Sequence, residues 1–481
     1  MSPCRPVPAS AIVGAHERDD MRVFLAALLF FTAAPAAAQA ITAEEAAKID
    51  TIVTTSLART GVPSASVAIV RGGKLVFAKA WGKQAEGWTA PRADAPYQIA
   101  SVSKQFTAAA LLLLEDEGKL SLDDKVAKYL PDISGADRIT LRQLLSHTSG
   151  LQDYWPQDYS FAAMAKPTTP QAILDIWAKK PLDYEPGTQW QYSNTGYVVA
   201  GLVVEKAAGM SLLQYLETRI FKPLGMKVIS QDAAVGRAYP QGHHRFALGP
   251  VRVAEPAAAG WLYAAGELAM SASDLAKWNI ARIERGLLPA DDWAAQEQPV
   301  TLASGAPTGY GLGVSLVTID GRAAVEHGGE AVGFLSENIV FPAEKASVVV
   351  LVNADFSNAF QSIAQQVTRV ILPQAAAGDA DATAEARALF DALRSGTLDP
   401  AKLTGNANYY FDATAREDYR QSLSALGEPR SFEALRGPRL RGGFVNRNYR
   451  VTYGDRALTI ITYREPGAGG RFEQFLVQPA E

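Results

Sequence analysis

The alternation of hydrophobic and polar positions predicts strands at the two ends of residues 41–372. Two apolar runs, 64–70 and 74–81, are joined by a short turn with two glycines, which is a strong hairpin signal. A second pair of runs, 333–341 and 347–352, surrounds a polar turn near the other end. We therefore predict an α/β protein of the α+β kind, with one antiparallel sheet that both ends complete.

Hydrophobic positions three and four residues apart predict helices in the middle of this region. The predicted helices are 122–129, 141–146, 170–178, 195–209, 212–221 and 272–286. Two more helices are predicted beside the sheet, one ending at Gly61 and one at 360–371. The helices between the strands indicate an inserted helical subdomain, and the cleft where it meets the sheet is the default location for a site.

The stretch 100–105 carries the first candidate chemistry. It runs into the apolar stretch 106–114, and residues 101–117 contain no proline or glycine, which predicts one helix of about four turns. Residues three apart share a helix face, so Lys104 is expected beside the Ser101 hydroxyl. The free N–H groups of a first turn favour developing negative charge, so Ser101 is a candidate nucleophile with Lys104 as its base. The alternative is that Ser101 caps the helix and Lys104 is solvated.

The segment Gln191-Tyr192-Ser193-Asn194 lies just before a predicted helix. A nearby ammonium group stabilises phenolate, so we expect a lowered pKa for Tyr192 and a role as a second proton shuttle. Asn194 is expected to orient the lysine and a substrate amide through hydrogen bonds. The alternative is a turn tyrosine above the core, with Asn194 as the N-cap of the helix.

The segment His327-Gly328-Gly329-Glu330 lies at the end of a predicted strand. Two glycines let a backbone approach a ligand closely, so the Glu330 N–H is expected to complete an oxyanion hole with the Ser101 N–H. His327 is then placed to bind a carboxylate or to polarise the Tyr192 hydroxyl. The alternative is a tight strand turn with an incidental histidine.

Other patterns favour no cofactor. The segment His147-Thr148-Ser149-Gly150 is interpreted as a helix end with a glycine stop. His243 and His244 are adjacent, so they cannot face one metal from one strand, and no metal site is predicted. No glycine-rich phosphate loop follows a strand. The net charge of −4, without aromatic residues beside a basic run, gives no reason to expect nucleic acid as a partner.

Residues 1–40 are a predicted leader, and 21–40 have the three-part pattern of a secretory signal peptide. The apolar core of that signal, 23–32, is too short to span a bilayer, and an Ala-x-Ala cleavage site ends at Ala40. The alternative is a buried N-terminal helix. We expect cleavage near Ala40, export to a bacterial periplasm and no membrane span. The single cysteine, Cys4, lies in the leader, so the mature chain is expected to lack disulfides.

The composition changes after a predicted linker at 373–384, where arginine becomes the main cation. Residues 385–481 are therefore predicted to be a small α+β accessory domain. Its predicted elements are helices 384–395 and 413–426 and strands 431–437, 444–453, 456–464 and 471–478. The arginines at 430–450 either dock a partner or polyanion or are solvated on strand faces. A dimer or docking through this domain is one expectation.

Three motifs occur in the order and approximate spacing of one known family: Ser101-x-x-Lys104, Tyr192-x-Asn194 and His327-x-Gly329. The chain resembles the penicillin-recognising serine hydrolases, most closely the class C β-lactamase group with its D-alanyl-D-alanine carboxypeptidases, D-aminopeptidases and family VIII esterases. The resemblance covers about residues 45–372 and implies a β-lactamase/transpeptidase-like fold. Further stretches that look like this group are 144–151, 310–313 and 327–334.

The resemblance implies an acyl-enzyme on Ser101, with Lys104 and Tyr192 as general base and acid. It implies that Asn194, His327, Gly328 and Gly329 orient the substrate, and that the N–H groups of Ser101 and Glu330 hold the oxyanion. True β-lactamases of this group usually carry lysine where His327 stands. Because histidine is mostly uncharged near neutral pH, His327 is expected to bind a β-lactam carboxylate more weakly than lysine would.

We therefore expect an exported serine hydrolase that cleaves a small ester, an amide or a short peptide containing a D-amino acid. One alternative is a class C-like β-lactamase. The other is a non-catalytic penicillin-binding or sensor protein on the same scaffold, which has less need of an intact serine, lysine and tyrosine together.

Overall fold

The computed structural model describes residues 40–372, 376–435, 438–454, 456–467 and 469–480. The predicted leader up to residue 39, with Cys4, lies outside the described residues, as do the first three positions of the predicted linker. Within the described ranges no single helix is long and apolar enough to cross a bilayer. One bent pair of helices, Asn194–Ala208 with Leu212–Phe221, meets the length and composition criteria only when taken together.

The secondary structure follows in chain order. The strands are β1 (Ser64–Arg71), β2 (Lys74–Gly82), β3 (Tyr97–Gln98), β4 (Val228–Ser230), β5 (His243–His244), β6 (Arg252–Val253), β7 (Leu268–Met270), β8 (Ser315–Ile319), β9 (Arg322–Ala331), β10 (Phe334–Phe341), β11 (Ala346–Val352), β12 (Ser431–Ala434), β13 (Arg439–Arg441), β14 (Phe444–Tyr453), β15 (Arg456–Arg464) and β16 (Phe472–Pro479). The helices are α1 (Ala43–Thr60), α2 (Lys104–Asp116), α3 (Leu141–Leu145), α4 (Pro170–Ile173), α5 (Asn194–Ala208), α6 (Leu212–Leu216), α7 (Tyr263–Gly266), α8 (Ala272–Glu284), α9 (Ala290–Gln296), α10 (Ala359–Ile371), α11 (Ala376–Ser395), α12 (Gly405–Tyr410) and α13 (Ala413–Ser424).

A six-stranded antiparallel sheet has the strand order β2-β1-β11-β10-β9-β8. β1 and β11 come from opposite ends of residues 41–372 and pair directly, with Val67 opposite Val350. Every residue of β10 and β11 is buried, because apolar side chains pack against both faces of the sheet. The predicted α+β class, with one sheet completed by both ends, is confirmed.

Helices cover the two faces of this sheet in different ways. On one face α1 and α10 pack through apolar positions at helical spacing, including Ile49, Val53, Ile363 and Val367. On the other face lies the helical subdomain, whose central helix α2 is buried at every position from 104 to 114. The N-terminus of α2 therefore meets the sheet where the predicted cleft lies.

Two parts of the helix and strand prediction were wrong. Residues 122–129 form only a short 3-10 turn, Val126–Lys128. The backbone around them bonds to a neighbouring segment instead, with Val126 N–H donating to the Ile139 carbonyl and Arg142 N–H to the Leu122 carbonyl. β8 was not predicted, since this half-buried edge strand lacks a strong apolar alternation.

The predicted linker is largely helical. Residues 376–384 form the first half of α11, because a run rich in alanine has high helix propensity. Further along α11, Phe390 and Leu393 pack into an apolar cluster with Tyr449 and Val451 of β14. β12 to β16 form an antiparallel sheet, and the predicted strand 431–437 ends at Ala434, before residues 436–437 that lie outside the described part.

A buried carboxyl pair next to the third motif makes stability depend on pH. Glu337 of β10 is 1% exposed. Burial and the adjacent Glu326 carboxyl raise the pKa of Glu337 above its ordinary value of 4.5. The folded protein thus keeps a proton that the unfolded chain releases, so stability is full below pH 4.5 and falls as pH rises toward the raised pKa.

Replacing Glu337 by glutamine is therefore expected to stabilise the fold increasingly at alkaline pH. The gap in free energy of unfolding between variant and wild type should widen by at most about 1.4 kcal/mol per pH unit above the ordinary pKa. Urea denaturation at several pH values measures this gap. The exposed Glu185→Gln serves as control, and a Glu337→Gln gap that stays constant with pH would show that this carboxyl is not protonated in the folded state.

Candidate active site

Ser101 lies on a short 3-10 turn, Ala100–Ser103, that runs directly into α2. The chain enters this turn through Ala100, whose φ of 47° is unusual for a residue with a Cβ and is typical of strained functional positions. Ser101 is half-buried, whereas the residues after it up to 114 are buried. The predicted helix 101–117 is thus present, with a tighter first turn that presents the Ser101 hydroxyl at its start.

Lys104 is fully buried and makes three hydrogen bonds through its amine. Nζ donates to Ser101 Oγ at 3.0 Å, to Asn194 Oδ1 at 2.8 Å and to the Ala265 carbonyl at 2.7 Å. Burial lowers the pKa of Lys104 to about 7, against the opposing charge of Asp153. An amine with this pKa is partly uncharged near neutral pH, so it can accept a proton from Ser101.

The centroid of the Tyr192 ring lies 4.8 Å from Lys104 Nζ, and the Tyr192 hydroxyl interacts with the Ser101 side chain. The structure thus brings Ser101, Lys104 and Tyr192 together. The expected lowering of the Tyr192 pKa was wrong: burial raises that pKa well above its ordinary value and outweighs the nearby ammonium. Tyr192 is therefore a neutral phenol, which can relay a proton but does not store negative charge.

Asn194 is the first residue of α5, and its amide oxygen faces Lys104. The helix is capped by Ser193, whose side chain accepts from the Gly196 N–H at 3.2 Å, so Asn194 is not the N-cap. With the capping bond made by its neighbour, the Asn194 side chain is free to orient the lysine.

His327 is buried on β9, and both ring nitrogens are engaged. Nε2 lies 2.8 Å from the Tyr310 hydroxyl and Nδ1 lies 2.6 Å from the Gly328 carbonyl. Burial and the nearby Lys104 lower the pKa of His327 to about 4, so the imidazole is neutral. The expected contact that polarises the Tyr192 hydroxyl is replaced by this pairing with Tyr310.

Gly329 sets how closely β9 approaches the serine. A Cβ at this position would lie 2.2 Å from the Ile99 carbonyl, so only glycine allows the strand to pack against the turn that carries Ser101. A Cβ at Gly328 would meet its nearest neighbour at 3.6 Å, which is an ordinary contact. The close approach of β9 therefore requires glycine at 329 but not at 328. This approach places Glu330 in the wall of the same cavity as Ser101.

The cavity in front of Ser101 has a volume of about 1090 Å³. Its walls carry five carboxylates: Asp153, Asp158, Glu255, Glu330 and Asp355. Arg245 is the single lysine or arginine in the lining, and its guanidinium stacks 4.6 Å from the Phe356 ring centroid. Within the described ranges no three His, Cys, Asp or Glu side chains converge so that they could hold a metal ion.

Two residues at this site were missed by sequence reasoning, and both come from the segment 147–153. Asp153 accepts hydrogen bonds from the backbone and side chain of Asn194. His147 is buried, stacks on the Tyr192 ring with centroids 4.2 Å apart, and accepts the Ser193 N–H on Nδ1. A local signal was present for His147, because residues 144–151 resembled the same family as the three motifs, but Asp153 lies outside that stretch. Nothing in the sequence showed that the segment 147–153 contacts Tyr192 and Asn194.

The sequence profile of the Beta-lactamase family matches residues 49–371. This match covers more than half of the chain, and the chain belongs to that family. It is 28% identical over 314 residues to a D-aminopeptidase of Gluconobacter oxydans, covering 64% of this chain and 59% of that protein. It is 29% identical over 326 residues to Protein flp of Staphylococcus aureus, covering 65% and 64%. The chain spans between 36% and 64% of the length of the curated relatives it matches.

Solved structures share the fold. A D-stereospecific amidohydrolase from Streptomyces sp. is 28% identical, with a TM-score of 0.59 over 69% of this chain and 99% of that one. An octameric penicillin-binding protein homologue from Pyrococcus abyssi is 21% identical, with a TM-score of 0.59 over 90% of this chain and 100% of that one. The predicted β-lactamase/transpeptidase-like fold is confirmed by these similarities.

Proposed function

We propose that the protein is an exported serine hydrolase that cleaves amides or short peptides bearing a free amino group on a D-amino acid. Membership of the Beta-lactamase family supports hydrolysis at a serine. The similar D-aminopeptidase and D-stereospecific amidohydrolase support the D configuration. The secretory pattern of residues 21–40 supports export, with cleavage near Ala40.

In this mechanism the uncharged Lys104 amine takes the Ser101 proton as Oγ attacks the amide carbonyl. The N–H groups of Ser101 and Glu330 bind the oxyanion that forms. The proton then passes through the Tyr192 hydroxyl to the leaving amine, which departs and leaves an acyl ester on Ser101. Water attacks this ester and passes its proton along the same path to Ser101 Oγ, which leaves as the free serine while the acyl group is released as a carboxylic acid.

The charge of the cavity is the observation that carries the substrate proposal. Five carboxyl groups against one arginine favour a cationic substrate over an anionic one. Burial and the nearby Asp158 and Asp355 raise the pKa of Glu330 to about 7, so a substrate ammonium would stabilise its ionised form. Arg245 is less available to a substrate, because its guanidinium stacks on Phe356 and donates to the Thr60 carbonyl. His327 is neutral and bound to Tyr310, so it offers no positive charge to a β-lactam carboxylate. An ammonium group near Glu330 and Asp158 fits this cavity better.

Aromatic side chains at the cavity mouth indicate what else the substrate carries. Tyr159 and Phe246 line the cavity and are 73% and 71% exposed. Large exposed aromatic groups beside a cavity are typical of surfaces that bind an apolar partner. A D-amino acid with an apolar side chain is therefore the preferred substrate class.

The test compares D-phenylalaninamide with 3-phenylpropanamide, which lacks only the amino group. We expect kcat/KM for the amine to be higher by at least about tenfold, the effect of one ion pair of about 1.4 kcal/mol. Glu330→Gln should shrink this ratio, whereas Glu185→Gln, outside the cavity, should preserve it. L-phenylalaninamide is the stereochemical control.

Three outcomes would contradict the proposal in different ways. Equal rates for the two amides would exclude recognition of the ammonium. Faster turnover of a penicillin than of D-phenylalaninamide would favour the β-lactamase alternative. Failure of wild type to turn over any ester, amide or penicillin would favour a binding or sensor protein.

A further inference from the structure

We propose that Asp153 is a positioning residue of this reaction, which fixes the orientation of Asn194 and acts on Lys104 through its charge. The proposal deepens the proposed function and rests on it for the role of Lys104 as base. Asp153 contacts Asn194 and stands in no direct hydrogen bond to Ser101, so it acts through its neighbours.

The hydrogen bonds of Asp153 allow only one orientation of the Asn194 amide. Asp153 Oδ1 accepts from the Asn194 backbone N–H at 3.0 Å, and Oδ2 accepts from Asn194 Nδ2 at 3.2 Å. A carboxylate only accepts and an ammonium only donates. Asn194 must therefore turn Nδ2 to Asp153 and Oδ1 to Lys104, where the bond is 2.8 Å. The aspartate thus sets which end of the amide meets the lysine.

The loop that carries Asp153 is itself held against the start of α5. The Trp155 N–H donates to Asp153 Oδ1 at 3.2 Å, and the Tyr154 N–H donates to Thr195 Oγ1 at 3.1 Å. On the other side of the motif, His147 accepts the Ser193 N–H at 3.1 Å. This loop is therefore hydrogen-bonded to the chain on both sides of Asn194, which restricts movement of the Asp153 carboxylate.

Asp153 is also a carboxylate whose charge acts on the Lys104 amine. Burial lowers the pKa of Lys104, and the charge of Asp153 opposes that shift. The other titratable groups facing Lys104 are Tyr192, Tyr197, His147 and His327. Burial raises the pKa of both tyrosines and lowers the pKa of both histidines, so all four are neutral around neutral pH. Among these titratable groups, Asp153 is therefore the one whose charge raises the pKa of Lys104.

Two substitutions separate charge from position. Asp153→Asn removes the charge and, with its oxygen still accepting the Asn194 backbone N–H, places its NH2 group against the NH2 group of Asn194. The Lys104 pKa should then fall by about half to one unit, and kcat should fall by roughly 10- to 100-fold with a smaller change in KM. Asp153→Glu keeps the charge but moves the carboxylate by one methylene. It should lower kcat while leaving the Lys104 pKa closer to the wild-type value.

The experiment measures Lys104 directly and Ser101 separately. Protein labelled with ¹³C at the lysine ε-carbon is titrated by NMR, and the Lys104 signal is assigned by its loss in Lys104→Met. In parallel, the rate of Ser101 labelling by a fluorophosphonate is followed against pH. Asp183→Asn is the matched control, because this exposed aspartate also accepts an amide N–H, from Gln191 at 2.8 Å.

We expect a lower Lys104 pKa in Asp153→Asn, with the labelling profile displaced to lower pH by the same amount and no displacement in Asp183→Asn. An unchanged Lys104 pKa with wild-type labelling would overturn the proposal. Because neither readout uses the amide substrate, an error in the substrate class leaves this test intact. A wild-type protein that the fluorophosphonate does not label would refute the nucleophilic role of Ser101, while the NMR titration would still decide the effect of Asp153.

Discussion

Replacing Ser101 by alanine is expected to abolish turnover of D-phenylalaninamide, with a loss in kcat/KM on the order of 10⁴-fold or more. The reason is that no other hydroxyl occupies its place: Ser101 Oγ is the group that Lys104 and Tyr192 both contact. The substitution removes one half-buried oxygen, so the fold should persist. Initial rates, with circular dichroism as a check on folding, measure the effect.

Ser103→Ala is the matched control for this prediction. Ser103 lies two residues away on the same turn, but its hydroxyl accepts the Leu268 N–H at 3.3 Å and does not contact Lys104. Its removal should leave kcat/KM within a few-fold of wild type. Comparable losses in the two variants would show that the turn, and not the Ser101 hydroxyl, is what activity requires.

Lys104→Met is expected to lower kcat by roughly 10³-fold, because methionine fills similar space without a proton acceptor. With 3-phenylpropanamide, which carries no titrating amino group, wild-type kcat/KM should rise as pH increases through about 7, where the Lys104 amine loses its proton and becomes a base. In Lys104→Met this rise should disappear from the residual activity. Rate measurements across this pH range test for loss of the rise, and thermal melting checks that the variant is folded.

Lys206→Met is the control for that substitution, since Lys206 is an exposed lysine that donates to the Tyr129 carbonyl. It should keep both the rate and the pH profile of wild type. If Lys104→Met retained the rise in activity near neutral pH, the ionisation that causes the rise would belong to another group.

The sheet and the proximity of Ser101 and Lys104 were predictable from sequence because their signals are local. Runs such as 64–70 and 347–352 are apolar enough to identify buried strands. The turn with two glycines between runs 64–70 and 74–81 indicates a hairpin. Ser101 and Lys104 are three residues apart on one helix, so helix geometry alone places the amine beside the hydroxyl. The observed distance of 3.0 Å agrees with that expectation.

Other features depend on contacts between distant segments and could not be derived in this way. The pKa of Tyr192 was predicted in the wrong direction, because the degree of burial is a property of the packed core. The contact of Asp153 with Asn194 depends on a loop that folds back onto the start of α5, 41 positions further along the chain. Residues 122–129 form no regular helix because their backbone bonds to residues 136–142, for example through the Val126 N–H and the Ile139 carbonyl.

The predicted helix 384–395 begins earlier than expected, at Ala376, for a different reason. Residues 376–384 combine alanine with glycine and aspartate, a composition that suits either a loose connection or a helix. The adjoining turns of α11 pack against the sheet that follows, and the Tyr449 hydroxyl donates to the Ala382 carbonyl at 3.3 Å. Tertiary contacts therefore decide between two states that local propensity leaves close in free energy.

The measurement that tests the central claim most directly is a search for the acyl-enzyme on Ser101. Wild type and Ser101→Ala are mixed with the methyl ester of D-phenylalanine and quenched in acid during turnover. An ester is chosen because its good leaving group makes deacylation the slow step, so the intermediate accumulates. Intact mass spectrometry followed by peptide mapping should find one phenylalanyl group on the peptide containing Ser101, and none in the variant. Turnover with the acyl group on another residue, or with neither an adduct nor a burst of methanol, would contradict the account.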